Sequence, residues 1–223
     1  MREAYENILF DLNSKKHPTW GFDIYRTSFK DDELWQRYLD YIQKAINCMA
    51  EDDGGRKVAT CAALDVKETH PADGTSLDGL TQDEVRRCHR EWVASLKAND
   101  DPDVYRLMSE PRRNYFLLAN DDALDKFRAA EKSERRWSNN HLDVGEGEPD
   151  WIPEGVLVVI CEAEESNQRF SPEVYEEDNP EREMAWQYVE ACSVIRLYEM
   201  LCETNHAWYG FFAWPQSGQV WDY

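Results

Sequence analysis

The sequence predicts an α+β protein in which strands and helices alternate along the chain. One segment that begins at Trp20 alternates apolar and polar residues, which is typical of a strand. Other segments repeat apolar residues every three or four positions, as one face of a helix does, and 155–161 is a short apolar run typical of a buried strand. The preferred arrangement is a ferredoxin-like split βαβ sheet, largely antiparallel, with helices mainly on one face. A three-layer mixed α/β sheet is the alternative.

The composition predicts that most of the chain folds. Its 223 residues are 42% hydrophobic and 13% aromatic, whereas disordered chains are poor in aromatic residues. A single domain is expected over 20–223, after a polar leader at 1–19 with one short amphipathic piece around Ile8–Leu12. Excursion loops are predicted where polar residues, glycine and proline accumulate, near 67–80, 131–154 and 162–179.

The first half of the domain predicts two strands and two helices. The segment W-G-F-D-I-Y-R-T-S-F, residues 20–29, predicts the first strand. A helix with an apolar face follows, from a cap at Asp31 or the next residue to the glycines of E-D-D-G-G. V-A-T-C-A-A-L-D-V, residues 58–66, predicts a second strand. The next helix begins at Thr81, which has capping-box spacing to Glu84.

The second half predicts three more strands and two more helices. Residues 112–130 read as a strand and then a short helix with its cap near Asn120. The apolar run 155–161 predicts a central strand buried on both faces. An Asn-Pro pair opens a long predicted helix at 180–203, and A-W-Y-G-F-F-A-W, residues 207–214, predicts a last strand that ends at a proline.

The net charge and the cysteines indicate which kinds of partner and which cellular location to expect. A formal net charge of −20 and a pI of about 4.6 disfavour nucleic acids and anionic membranes, because such a field repels phosphate groups. No segment approaches the roughly 20 apolar residues of a membrane span. No signal-peptide pattern or C-x-x-C pair is present, so a cytoplasmic location is expected. The expected partner is a hydrophobic small molecule, with a homodimer or a basic protein partner as further possibilities.

Motifs for bound groups are missing from the sequence. It has no G-x-x-x-x-G-K-[ST], no G-x-G-x-x-G and no G-x-S-x-G, which disfavours nucleotide cofactors and a serine nucleophile. Glu84 and Cys88 have helical ligand spacing, with His89 adjacent, and Cys202 and His206 repeat it. Zinc needs three or four protein ligands, so no metal and no cofactor are expected. Cys88 is interpreted as a core residue and His89 as a surface one.

The candidate catalytic residues lie on the two faces of the first strand. Asp23 and Tyr25 share one face, while Arg26 falls on the other, with Trp20 and Phe22. Arginine stays protonated in proteins, so a buried Arg26 needs either a carboxylate or a bound anion. A structural ion pair and a ligand-binding role both remain open. His206 completes the set of candidate proton-handling residues.

The aromatic residues predict a wall near the first and last strands. The wall is either core packing or the lining of an apolar pocket, since small-molecule sites are largely apolar with few polar groups. Its candidate binding residues are Trp20, Phe22, Trp35, Trp208, Phe212 and Trp214.

Four stretches carry a family resemblance. They are W-G-F-D-I-Y-R-T followed by D-D-E-L-W-Q-R-Y-L, then R-N-Y-F-L-L-A-N-D-D-A-L, and Y-E-M-L with W-Y-G-F-F-A-W-P. Together the motifs, which span most of the chain, resemble a set of uncharacterised ascomycete fungal proteins. The resemblance implies a fungal, intracellular origin and supplies no activity or catalytic residues. The loops at 131–154 and 162–180 depart from the shared pattern.

Elimination therefore predicts a cofactor-independent cyclase or isomerase that acts on a hydrophobic fungal secondary metabolite in an aromatic-lined pocket. Such an enzyme holds a reactive conformer and stabilises developing charge with few polar groups. Arg26 would stabilise charge, and Asp23, Tyr25 or His206 would handle protons. The alternative is a non-catalytic binding or interaction protein with an acidic surface.

Overall fold

A computed structural model describes residues 5–14, 19–52, 56–70, 73–98, 110–132, 156–163, 186–203 and 220–221. These residues form an α+β protein, as predicted. In chain order the elements are α1 (Glu6–Ser14), β1 (Asp23–Arg26), α2 (Asp32–Asp52), α3 (Arg56–Thr60), β2 (Asp65–Lys67), α4 (Gln82–Ala98), α5 (Glu110–Asn114), β3 (Tyr115–Ala119), α6 (Asp121–Lys132), β4 (Leu157–Glu162), β5 (Trp186–Glu190), a 3₁₀ turn (Ala191–Ser193), α7 (Val194–Glu203) and β6 (Val220–Trp221).

The strands form one mixed sheet in the order β2-β1-β3-β4-β5-β6. β1 runs parallel to both β2 and β3, β4 runs antiparallel to β3 and β5, and β6 runs parallel to β5. The ferredoxin-like split βαβ prediction is therefore wrong. In a split unit another strand lies between the two parallel strands, whereas β1 and β2 are direct neighbours here.

Both faces of β1 and β3 are buried, and the described helices lie mainly on one face of the sheet, as expected. Ile24 of β1 and Leu117 of β3 lie in a large core with α2 and α7. Tyr25 and Phe116, the neighbouring residues on the same strands, lie in a second core with Val85 of α4. Successive strand residues point to opposite faces of the sheet. On β1 and β3 the residues of both faces are apolar enough to need burial against helices or loops. The arrangement is thus a mixed sheet, as in the alternative, with most of the described helices on one face and α4 on the other.

Three predicted helix caps are confirmed, and the fourth, at residues 179 and 180, lies outside the described residues. The Leu34 amide donates to Asp31 Oδ1 at 2.9 Å, and the Ala123 amide donates to Asn120 Oδ1 at 2.9 Å. The Thr81 amide donates to Glu84 Oε2 at 2.8 Å, as a capping box requires. These bonds satisfy amide groups that the first turn of a helix leaves without a partner inside the helix.

The amphipathic piece of the predicted leader belongs to the domain. It forms α1, whose Ile8 and Leu12 are buried in the large core. Glu199 of α7 accepts hydrogen bonds from the backbone amides of Asn7 at 2.8 Å and Ile8 at 2.9 Å. A carboxylate at a helix N-terminus is favourable both as an acceptor and through the helix dipole. Residues 6–14 are therefore anchored to the end of the chain's last described helix.

Three predicted elements differ in type. Residues 58–60, predicted as the start of a strand, belong to α3, because Val58 and Ala59 pack into the core beside α2, and only 65–67 pairs with β1. Residues 110–114 form α5 just before β3. Residues 186–190, placed in a helix, form β5, because its backbone completes the hydrogen-bonding of β4 along five residue pairs.

Several predictions fall outside the described residues. They concern the strand at 207–214 and most of the loops at 131–154 and 162–179. The loop at 67–80 is described in part and contains an isolated bridge between Thr69 and Ser76.

Three features of the described residues bear on location and bound groups. No helix among them is long and apolar enough to cross a membrane. All six cysteines lie within the described ranges, and none forms a disulfide bond. The same residues contain no group of three or more His, Cys, Asp or Glu side chains placed to hold a metal ion.

Candidate functional site

The most unusual polar group of the described chain lies at the start of β1. Asp23 is fully buried, and neither of its carboxylate oxygens accepts a hydrogen bond from any described residue. A buried polar atom without a partner is uncommon, because losing water without a replacement bond costs on the order of 1–3 kcal/mol. Such a group lowers the stability of the fold around it.

The neighbours of Asp23 come from β2 and α5. The parallel register sets Asp65 beside Asp23 and Lys67 beside Tyr25, all on the face that α4 covers. Lys67 Nζ and Arg112 Nε each lie 4.0 Å from Asp23 Oδ1, which is near enough for electrostatic attraction but too far for a hydrogen bond.

Burial raises the pKa of Asp23 from 3.8 to about 7. The charges of Arg112 and Lys67 oppose this rise. Asp65 adds to it, both by its negative charge and because the protonated Asp23 carboxyl can donate a hydrogen bond to it. Two carboxyl groups this close share one proton more readily than they both ionise. Asp23 is thus a carboxyl group that both gives and accepts a proton near neutral pH.

Asp65 connects this buried carboxyl to solvent. Its side chain is 48% exposed, and its Oδ2 accepts a hydrogen bond from Lys67 Nζ at 2.7 Å. Lys67 also lies 4.6 Å from the centre of the Trp92 ring, within the range of a cation–π contact. The cluster of Asp23, Asp65, Lys67 and Arg112, called here the carboxyl pair site, therefore has a buried end and an accessible end.

Arg112 is held in place by backbone groups. Its Nε donates to the Gly21 carbonyl at 2.9 Å and its Nη2 to the Ala63 carbonyl at 3.3 Å. Gly21 has a φ of +129°, and a Cβ there would lie 2.2 Å from the Ala63 carbonyl oxygen. Only glycine fits this close approach of the chains before β1 and β2. The glycine therefore shapes the backbone that orients Arg112 toward Asp23.

Tyr25 and His89 form a buried hydrogen-bonded pair on the same face of the sheet. His89 Nε2 lies 3.1 Å from the Arg113 carbonyl, which can only accept, so Nε2 carries the hydrogen. Burial lowers the pKa of His89 to about 4, so its Nδ1 accepts the Tyr25 hydroxyl hydrogen at 3.1 Å. Burial, with the charge of Asp23 as the next cause, raises the pKa of Tyr25. The prediction of a surface His89 is wrong, because α4 covers the second face of the sheet and buries the ring.

Arg26 lies at the other end of β1, where its guanidinium group makes several hydrogen bonds. Its guanidinium donates to the Ser28 carbonyl at 2.9 Å, to Glu68 at 3.0 Å and to Asp32. Its Cζ is 4.3 Å from the centre of the Phe29 ring. The side chain is buried while both carboxylates are exposed. This geometry favours the structural ion pair among the two roles left open by the sequence, and it separates Arg26 from Asp23 and Tyr25.

The described aromatic candidates pack against one another. Trp20 and Phe22 lie in the large core, with ring centres 5.1 and 4.9 Å from that of Tyr198. Trp35 is buried 6.1 Å from Tyr38. The remaining predicted site residues, His206, Trp208, Phe212 and Trp214, lie outside the described residues.

Sequence reasoning selected Asp23 but missed its partners Asp65, Lys67 and Arg112. The alternation of D-V-K places Asp65 and Lys67 on one face, yet nothing local shows that this face meets Asp23. Arg112 lies on a short helix that was predicted as strand. Comparisons with known protein families, curated proteins and solved structures found no match for this chain, so the site is interpreted from its own chemistry.

Proposed function

We propose that this protein is a cofactor-independent enzyme that moves a proton on a hydrophobic, carbonyl-bearing metabolite, as an isomerase or cyclase does. The observation that carries the proposal is Asp23, a buried carboxyl that has no hydrogen-bond donor among the described residues and whose pKa is about 7. A carboxyl group with a pKa near the working pH is suited to both general acid and general base catalysis.

The proposed reaction begins at the accessible end of the carboxyl pair site. Asp65 takes a proton from the carbon next to the substrate carbonyl, and the electron pair of the broken C–H bond moves onto the carbonyl oxygen. Lys67 and Arg112 supply positive charge for the resulting enolate. Asp23 shares the proton with Asp65 and so keeps it in the site. If a C=C bond adjoins the carbon that lost the proton, the charge spreads to the far carbon of that bond, and return of the proton there gives an isomer.

Cyclisation needs only one different step. The enolate carbon attacks a second carbonyl of the same substrate, a C–C bond forms, and the new alkoxide takes back the proton. No external oxidant or reductant is consumed in either case. The lack of nucleotide-binding motifs in the sequence supports a cofactor-independent reaction.

The setting of the reaction is proposed from the sequence. The motif resemblance supports an ascomycete origin, and the aromatic residues of the sequence favour a hydrophobic metabolite as the substrate. The absence of disulfides among six cysteines is consistent with the reducing cytoplasm. The net charge of −20 favours a small molecule over nucleic acid or an anionic membrane surface as the partner.

Deuterium exchange tests the proposal without knowledge of the product. Hydrophobic ketones and aromatic polyketide analogues are incubated with the full chain in D₂O, and loss of the C–H signal next to the carbonyl is followed by proton NMR. The wild type should accelerate exchange for part of the panel. Asp65→Asn, which removes the proposed base, should slow exchange by about 10²–10⁴-fold, the usual contribution of general acid–base catalysis. Asp23→Asn, which removes the group that shares the proton, should also slow exchange.

Asp40→Asn is the matched control, because Asp40 is an exposed carboxylate on α2 that contacts only Gln36 among the described hydrogen bonds. This variant should exchange substrate as fast as the wild type. Equal exchange rates for Asp23→Asn and the wild type contradict the proposal, and so does a panel with no exchange above the buffer rate.

A further inference from the structure

The charges of the carboxyl pair site indicate which class of molecule it binds. When Asp23 holds a proton, the site contains two cations, Lys67 and Arg112, and one anion, Asp65, so one positive charge is uncompensated. When Asp23 loses that proton, the charges balance. The protonation state of Asp23 therefore sets whether an anion is attracted to the site.

The two cations reach the surface of the described residues. The side chain of Lys67 is 18% exposed and that of Arg112 is 17% exposed. Both nitrogens flank the same oxygen, Asp23 Oδ1, so a small anion that meets one of them is also near the other. Arg112 donates to two backbone carbonyls but has no carboxylate at hydrogen-bond distance among the described residues, so its charge is uncompensated when Asp23 holds its proton.

An apolar surface adjoins the cations. The Trp92 ring lies 4.6 Å from Lys67 Nζ and is only half-buried. An aromatic or aliphatic body can pack on this ring while its anionic group meets Lys67, as in small-molecule sites that combine one apolar wall with few polar groups.

We propose that the carboxyl pair site binds a small organic acid, with its carboxylate on Lys67 and Arg112 and its apolar body on Trp92, and that binding transfers one proton from solvent to Asp23. This inference rests on the site of the proposed function and names its substrate class, a hydrophobic carboxylic acid.

The other groups that face Asp23 do not explain a pH dependence near neutrality. On β1 and α4, the pKa of Tyr25 and that of Cys88 are raised, while the pKa of His89 is lowered to about 4. β3 contributes the apolar Phe116. Asp23 is thus the group of the cluster whose pKa is displaced into the neutral range.

The test is calorimetric binding of benzoate and of indole-3-acetate to the full chain near pH 6 and near pH 8. If the acid binds only when Asp23 is protonated, a pKa of about 7 predicts about tenfold weaker binding at the higher pH. Titrations near pH 7 in two buffers with different ionisation enthalpies should show uptake of about half a proton per bound anion, because Asp23 is half protonated in the free protein at that pH.

Variants assign the effect to particular side chains. Asp23→Asn should bind as tightly near pH 8 as near pH 6 and take up no proton, because asparagine is neutral at both. Lys67→Met should weaken binding by about tenfold or more, as loss of a charge-assisted contact does. Lys126→Met is the matched control, because Lys126 also pairs with one aspartate, Asp122 at 2.6 Å, and lies 4.8 Å from an aromatic ring centre, that of Tyr188.

A second control concerns His70, which lies between Asp73 and Glu91 beyond the end of β2. His70→Gln should keep the pH dependence of binding. The inference is overturned by binding that is absent, by binding that is independent of pH, by an unchanged pH dependence in Asp23→Asn, or by wild-type affinity in Lys67→Met. If proton-linked binding holds and deuterium exchange fails, the ligand class survives and the proposed reaction does not.

Discussion

Asp23 and Arg26 lie three residues apart on β1, yet their surroundings are opposite. Arg26 has three hydrogen-bond acceptors and an aromatic ring beside it. Asp23 has two cations at 4.0 Å and no hydrogen-bond donor among the described residues. A buried charged group with all its hydrogen-bond partners stabilises a fold. A buried charged group without such partners is typical of a functional position.

Asp23→Asn should remove a pH dependence of stability. The pKa of Asp23 is raised on folding, so the folded state binds the proton more tightly than the unfolded state. The wild-type free energy of unfolding should therefore fall as pH rises from about 4 to about 7, by on the order of 3 kcal/mol at about 1.4 kcal/mol per pKa unit. Urea unfolding near pH 4.5, 6 and 8 measures this fall.

The asparagine variant should lack this contribution, so its stability relative to the wild type rises toward pH 8. Asp40→Asn should follow the wild-type profile, because Asp40 is exposed. Parallel profiles for Asp23→Asn and the wild type would show that Asp23 titrates alike in both states.

Arg26→Met separates the two roles that the sequence left open for this residue. Methionine keeps much of the buried volume but loses the bonds to Ser28, Glu68 and Asp32. Both carboxylates are exposed and regain water, so we expect a loss of about 1–3 kcal/mol in the free energy of unfolding. Thermal and urea unfolding measure it. Substrate exchange should be unchanged, and loss of exchange with stability retained would instead place Arg26 in the site.

At the scale of elements, the site depends on how β1 and β2 approach each other. The parallel register sets Asp65 beside Asp23, and the glycine before β1 allows the chains to come close. The backbone carbonyls of Gly21 and Ala63 then hold Arg112 from α5. Three elements and one glycine thus place the four side chains of the carboxyl pair site.

Gly21→Ala should therefore be strongly destabilising. The added Cβ would lie 2.2 Å from the Ala63 carbonyl oxygen, at a φ of +129° that side chains rarely adopt. Backbone strain alone costs on the order of 1–3 kcal/mol, and the clash adds to it, so we expect a loss of about 3 kcal/mol or more. Urea unfolding is the measurement.

Gly79→Ala provides the comparison, since Gly79 also has a positive φ, +72°, but its Cβ would meet nothing within 4 Å. It should cost only about 1–2 kcal/mol from the left-handed conformation. Similar losses in the two variants would show that the contact with Ala63 does not govern the position.

At the scale of the whole molecule, the net charge of −20 is the dominant feature. Like charges at this density repel one another and destabilise the compact state, although ion pairs such as Arg37 with Glu131 and Lys30 with Asp121 offset part of the repulsion. Exposed pairs contribute little each, so repulsion should outweigh them.

Sodium chloride should therefore stabilise the protein. Raising ionic strength from about 0.01 M to about 0.15 M shortens the Debye length from about 30 Å to about 8 Å and screens the long-range repulsion. The urea midpoint at neutral pH should rise over this range. Sucrose at matched osmolality serves as the control for effects other than screening, and a falling midpoint in salt would show that attractive pairs dominate.

The elements that were predicted correctly from the sequence depend on interactions between residues close together in the chain. The N-terminal caps and apolar faces of α2, α4 and α6 depend on residues within one or two turns of each other. The residue types of these segments therefore indicate both features directly. The central strand β4 was predicted for the same reason. Every residue of its apolar run is suited to burial, which is a local property of the sequence. Asp23 was likewise chosen as a candidate from its place on the first strand.

The tertiary structure alone decided what these elements meet. Residues 186–190 have both helical and alternating apolar spacing, and the open edge of β4 makes the strand the more favourable state. The pairing of β1 with β2 brings Asp65 and Lys67 to Asp23, and α4 buries the face that was expected to be open. Such contacts join segments far apart in the chain. Their free energy depends on what the partner segment offers, so no local pattern around Asp23 could show that it would meet no hydrogen-bond donor in the described part of the chain.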